Sequence, residues 1–257
     1  MNYYAKYVFV LLLLMIVGFI FEKYKKADEL NDKMGEYDLI KKYLLNDSTL
    51  ARSDKPILWI HVAFETNARW WPQFASRNTE CFNQPYQYLT IKSIVDHCGE
   101  SFNVCLLDDK SFNKIIPGWG TKVANLPNPL RPHLRELAMA KVLYYYGGMT
   151  IPSSFICTKN LISLYNKGLS AAPMFCGELP TDSNISTYTD FFPTNKIMGC
   201  KKDCELMGKY VHFLENTVSS DYTNEMEFTG ETDKWLYEHV REKQVMPLDV
   251  KYFGAKM

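Results

Sequence analysis

Hydrophobic positions along the chain fall into short continuous runs and longer runs with helical spacing, and their alternation sets the expected architecture. Pro56-Ile57-Leu58-Trp59-Ile60-His61-Val62 is continuous and apolar, as in a strand buried on both faces. From Pro85 onward, Tyr88, Ile91, Ile94 and Val95 are spaced to face inward from a helix, and Gly99 is placed to close it as a left-handed cap. Phe102 to Leu107 forms a second strand ending at Asp108-Asp109. Strand, helix, strand in that order predicts parallel pairing. Leu134, Leu137, Ala138, Val142 and Tyr145 mark the buried face of a central helix. Pro129 and Pro132 fit its first turn, where a missing N–H costs little. Gly147-Gly148 stops that helix, Met149-Thr150-Ile151 follows as a third strand, and Pro152-Ser153-Ser154 is the strand's exposed end.

The pattern continues less strongly toward the carboxyl terminus. Pro173 to Cys176 and Lys196 to Gly199 are short strands, separated by a polar, aromatic loop containing Asp182, Tyr188, Asp190, Phe191 and Phe192. Asp203 begins a helix with Leu206, Met207, Tyr210, Val211 and Leu214 on its inner face. A further helix covers Thr232 to Glu242, and Val245 to Phe253 ends the chain as strand or loop. A second aromatic loop, Phe64 to Tyr86, carries Arg69, Trp70, Trp71 and Arg77.

The amino-terminal region has a different pattern. Tyr7 to Phe21 is uninterrupted by charge, with Tyr3 and Tyr4 placed to extend it into the membrane interface. Phe19-Ile20-Phe21-Glu22 offers no small-residue cleavage pattern, so residues 1–22 are expected to form an uncleaved single-pass anchor. Residues 23–54 are charged, with Leu39, Ile40, Tyr43 and Leu44 at helical spacing, and read either as a helical stalk or as a solvated spacer. The globular domain is expected over 55–257. Lys23, Lys25 and Lys26 outnumber Lys6 and the amino terminus across the span, which favours a cytosolic or internal domain. The sequons at Asn46 and Asn184 point the other way.

Composition narrows the function classes. The 257 residues carry 29 basic and 29 acidic side chains, so no basic field marks a nucleic-acid partner. Seven cysteines scattered through apolar segments read as reduced, packed thiols. Cys200 and Cys204 are not followed by a second Cys or His pair at structural-zinc spacing. There is no G-x-S-x-G elbow around Ser153-Ser154 and no phosphate-loop glycine pattern.

In an open α/β sheet, ligands bind beyond the carboxyl ends of the strands. Three such ends are legible: His61, Asp108-Asp109 and Pro152-Ser153-Ser154. The run from Ile57 through Leu161 resembles the GT-A type glycosyltransferases related to the capsular-polysaccharide-synthesis and DXD-containing sugar-binding families. The residues that carry the likeness are Leu58-Trp59-Ile60-His61, Cys105-Leu106-Leu107-Asp108-Asp109 and, above all, Leu143-Tyr144-Tyr145-Tyr146-Gly147-Gly148. Ile197-Met198-Gly199-Cys200-Lys201-Lys202 is a weaker echo. Similar patterns occur in large DNA viruses. The resemblance implies a GT-A-like nucleotide-diphospho-sugar transferase domain behind an N-terminal transmembrane helix, with a nucleotide-sugar donor and a glycan acceptor.

Two departures qualify what the resemblance implies. The family's Asp-x-Asp after the double glycine falls on Pro152 and Ser154, which lack the carboxylates that hard cations require, so no Mn²⁺ or Mg²⁺ cofactor is expected. The family's helical acid followed three residues later by Arg falls on Glu136 and Met139, with Arg135 one turn before Met139 as a substitute. Two readings remain open. In one, transfer proceeds without a metal. Arg77, Arg135, Lys141 and Lys159 are then candidates to neutralise the leaving diphosphate, Asp108 and Asp109 engage hydroxyls, and Asp190 acts as base. His61, Glu136, Ser153 and Ser154 complete the candidate substrate site. In the other reading, the domain is an inactive membrane-anchored structural, assembly or sugar-binding protein, such as a viral component. It would meet a protein partner through the stalk or an aromatic loop.

Overall fold

Apolar runs buried on both faces require helices on both sides of a sheet. The computed structural model has this arrangement over the residues it describes, 55–62, 84–178, 191–220 and 225–253. The expected anchor and stalk, most of the aromatic loop, Arg77 and Asp190 lie outside those residues. Among the described residues no helix is long and apolar enough to cross a membrane. Apart from the Pro117–Trp119 turn, the described residues belong to one compact unit.

The chain order is β1 (Ile57–His61), α1 (Gln84–Cys98), β2 (Asn103–Leu107), the short α2 (Phe112–Ile115), α3 (Leu130–Tyr146) and β3 (Gly148–Pro152). Then come α4 (Ile162–Ala171), β4 (Met174–Glu178), β5 (Pro193–Cys200), α5 (Glu205–Ser219), α6 (Glu225–Arg241) and β6 (Val245–Leu248). The six strands form one sheet in the order β2-β1-β3-β5-β4-β6. β1 is parallel to both β2 and β3, as the strand-helix-strand order predicts, and β4 is parallel to β6. β5 runs antiparallel between β3 and β4.

Period-two alternation divides β1 between two layers. Leu58 and Ile60 are fully buried against Ile94 and Cys98 of α1, Leu164 of α4 and Phe175 of β4. Trp59 and His61 point to the opposite face, in register with Thr150 and Pro152 of β3. α3 packs on α5 on that second side.

The double-glycine corner is as sharp as the sequence requires. Gly147 has φ 70° and Gly148 φ 99°, values that disfavour any side chain. A Cβ on Gly148 would lie 2.2 Å from the Ile57 carbonyl oxygen, so β3 can leave the corner beside β1 only because that atom is missing. Trp59 Nε1–H donates to the Gly147 carbonyl at 2.8 Å, tying the corner to the sheet.

Two local expectations are corrected. Val95 is 45% exposed, because the inward stripe of α1 runs through Ile94 and Cys98, and Val95 lies a further step around the helix. Gly99 is not a left-handed cap. Its backbone stays out of the positive-φ region, and its N–H simply closes the last turn on Val95 O at 2.9 Å. Glycine is needed there for space, since a Cβ would meet Val95 O at 2.7 Å.

Candidate functional site

The parallel half of the sheet delivers its carboxyl ends to one crevice. His61 ends β1, Asp108-Asp109 follow β2, and Pro152 ends β3. α3 crosses above them and contributes Pro132, Arg135, Glu136 and Met139 to a cavity of about 220 Å³. β5 enters from the opposite direction, so its amino-terminal half adds Asn195 and Lys196 to the same cavity. Tyr210 of α5 closes the back.

One wall is an ion-pair network. Arg135 donates through Nε to Asp109 Oδ1 at 2.9 Å and through Nη2 to Asp109 Oδ2 at 2.8 Å, the two-point geometry that suits guanidinium and carboxylate. His61 Nε2 lies 3.0 Å from Asp109 Oδ1. Burial pushes the Asp109 carboxyl up, but the Arg135 bonds and charge, and then His61, outweigh it and hold the group below the usual carboxylate range. Burial likewise lowers His61 below the ordinary imidazole value, with Asp109 pulling the other way without overcoming it. A neutral His61 must carry its proton on Nε2 to donate to the carboxylate. Phe112 stacks on the imidazole at 5.3 Å between ring centroids and fixes its plane.

The opposite wall centres on a buried acid. Tyr210 O–H donates to Glu136 Oε1 at 3.1 Å. Burial raises the Glu136 carboxyl above its ordinary value, and Lys196, Tyr210 and Asn195 only partly offset this. Tyr210 is fully buried and is pushed well above its usual range, first by burial and then by Glu136. Asn195 Nδ2 is buried without a hydrogen-bond partner among the described residues; it is near enough to favour the charged forms of Glu136 and Tyr210, but outside bonding geometry. Behind them, burial brings Asp233 of α6 up to about 6, against the pull of Lys196.

Among the described candidates, the structure thus gathers His61, Asp109, Arg135 and Glu136. Asp108 is adjacent, but its Oδ1 accepts from both the backbone N–H (2.8 Å) and the hydroxyl (2.5 Å) of Ser111, which shapes the entry to α2. Lys141 faces Glu215 on α5 at 2.6 Å and is not among the cavity's lining residues. Lys159 is exposed on the loop after β3, where its carbonyl accepts from the Cys157 thiol. The Ser153 carbonyl accepts from Thr90 Oγ1 at 2.7 Å, and Ser154 sits on the exposed side of the same turn. Arg77 and Asp190 lie outside the described residues.

Sequence reasoning missed Asn195, Lys196, Tyr210 and Asp233. Tyr210 carried a signal, but its helical spacing marked it as core, and it is both core and cavity wall. Asn195 and Lys196 carried none, because their placement depends on an irregularity in β5.

Among the described residues no three His, Cys, Asp or Glu side chains cluster closely enough to hold a metal ion. The six described cysteines are reduced; Cys98 and Cys157 lie 3.7 Å apart, sulfur to sulfur. In comparisons with known proteins, the chain matches no family model, no curated protein and no solved structure.

Proposed function

We propose that the chain is a membrane-anchored glycosyltransferase-like protein of GT-A type that receives a nucleotide-sugar in the cavity beyond β1 and β3. The observation that carries this reading is the pairing of Glu136 with Asn195. Among the described residues Glu136 makes one side-chain hydrogen bond, from Tyr210, and keeps acceptor capacity, while the buried Asn195 Nδ2 is a donor with no partner there. An unsatisfied buried donor is costly, and a ligand hydroxyl that accepts from the amide while donating to the carboxyl satisfies both groups. Sugars present such hydroxyls in rigid array. The cavity, about 220 Å³, falls below the roughly 300–1,000 Å³ of sites that enclose drug-sized ligands. It is therefore sized for one sugar ring, with the remainder of the ligand lying along the crevice.

The His61–Asp109–Arg135 network favours a second reading, sugar binding without turnover. Both oxygens of Asp109 are engaged, which leaves Glu136 as the acid lining the cavity among the described residues. Calorimetric titration of the full chain in detergent with the common UDP- and GDP-sugars, with and without Mn²⁺, tests both readings. Heat at submillimolar concentration together with release of nucleoside diphosphate supports transfer, and heat without release supports binding alone. Absence of heat at millimolar concentration removes the nucleotide-sugar assignment.

A further inference from the structure

The ladder between β4 and β5 breaks in the middle. Cys176 pairs with Met198, yet the next residue of β4, Gly177, pairs with Thr194, so Asn195, Lys196 and Ile197 bulge between successive pairs. On the other side, the β3 ladder stops at Thr150–Met198 and leaves the same three residues unpaired there. In a regular strand, consecutive side chains point to opposite faces. Here the consecutive Asn195 and Lys196 line one cavity, which is the re-aiming that bulges perform beside functional sites.

The cations around this crevice are not equivalent. Arg135 is bound at two points to Asp109, and Lys141 is held by Glu215. Lys196 also lines the cavity, its ammonium forms no ion pair among the described residues, and its side chain is exposed at the mouth. The described carboxyls that feel its charge are Glu136, which burial drives toward the neutral form, and Asp233, which is on α6 and not among the lining residues. The end of β3 presents Pro152, Ser153 and Ser154, none of which can offer a carboxylate to a divalent cation. The bulge therefore sets an ammonium with no ion pair among the described residues beside the Asn195 amide, whose two N–H groups can serve a sugar hydroxyl and a neighbouring phosphate oxygen together.

We propose that the β5 bulge at Asn195-Lys196 is a phosphate-recognition element that binds the diphosphate of a nucleotide-sugar without a divalent cation. This deepens the glycosyltransferase-like reading of the same cavity and rests on it for the identity of the ligand, though not for the anion site itself.

The test is titration of the full chain, in detergent and EDTA, with inorganic pyrophosphate as the probe. Pyrophosphate is expected to bind in EDTA, with Lys196→Met weakening it tenfold or more and Lys196→Arg retaining it within about threefold. Asn195→Ala should weaken it severalfold, and Lys92→Met, a charge removed from the exposed side of α1, should leave it unchanged. Unchanged melting temperatures show that the variants are folded. Binding that appears only with Mn²⁺, binding equal in wild type and Lys196→Met, or no binding in EDTA overturns the proposal. Pyrophosphate binding that is lost in Lys196→Met, with no response to any nucleotide-sugar, supports the anion site while refuting the glycosyltransferase-like reading.

Discussion

Replacing Arg135 by methionine keeps most of the aliphatic stem and removes the guanidinium that holds Asp109. Two charge-assisted hydrogen bonds are lost, and a carboxylate whose side chain is 9% exposed is left, among the described residues, with His61 alone. Removing one partner of a fully buried pair costs about 3–5 kcal/mol; exposed pairs contribute about 0–1 kcal/mol. Arg135, at 14% side-chain exposure, is close to the buried limit but opens onto the cavity, so a loss of about 2–3 kcal/mol is expected. At about 2–4 °C per kcal/mol for a domain of this size, the melting temperature should fall by about 4–12 °C. The loss must also depend on pH in one direction. Asp109 has a depressed pKa in the fold, so the stability it gains from Arg135 is fully present above the unfolded carboxylate pKa, near 3.9. That stability disappears as the pH falls through the lower, folded value. Thermal scans by circular dichroism of wild type and variant should therefore show a constant gap from pH 7 to pH 5 that closes below about pH 4. A shift smaller than about 2 °C, or a gap that persists at acid pH, would mean that solvent screens the pair and that Arg135 is not what orders this wall.

Glu136→Gln should behave in the opposite sense. Burial raises the folded pKa of Glu136, so ionising it costs the fold as pH rises above its ordinary 4.5, and the variant should gain in urea midpoint relative to wild type between pH 5 and pH 8. Gly148→Ala forces a Cβ to within 2.2 Å of Ile57 O at positive φ and should cost about 3 kcal/mol or more, read as loss of soluble, folded protein. Gly230→Ala, with nothing within 4 Å of the added atom in helix α6, should instead stabilise by about 0.5–1 kcal/mol. Trp59→Phe leaves the Gly147 carbonyl without its indole donor and should cost about 1–3 kcal/mol in chemical denaturation, without loss of the fold.

The parts of the fold that could be read from the chain were those with strong local grammar. The β1 run, the α3 stripe and the Gly147-Gly148 stop each combine periodicity with a punctuating residue, and the parallel pairing of β1 with β2 and β3 follows from their order. The antiparallel direction of β5 was not legible, because a short apolar run carries no sign of its orientation and the long connection before it permits either. The site divides the same way. His61, Asp109, Arg135 and Glu136 stand at strand ends or on the helix that crosses them, positions that topology alone marks as functional. The bulge that adds Asn195 and Lys196 arises from a mismatch between two strands, a property of the pair that neither segment carries separately. Lys141 and Lys159 were singled out by charge, and charge says nothing about direction: one faces Glu215, and the other stands exposed on the loop after β3.

The antiparallel course of β5 also bears on how this domain can diversify. Glu178 at the end of β4 pairs with Pro193 at the start of β5, so the connection between them leaves and returns on the rim where the cavity opens. For directed evolution, this is the segment to randomise. New ligand preferences could be selected there while the sheet, the helix α3 wall and the glycine corner remain a constant scaffold.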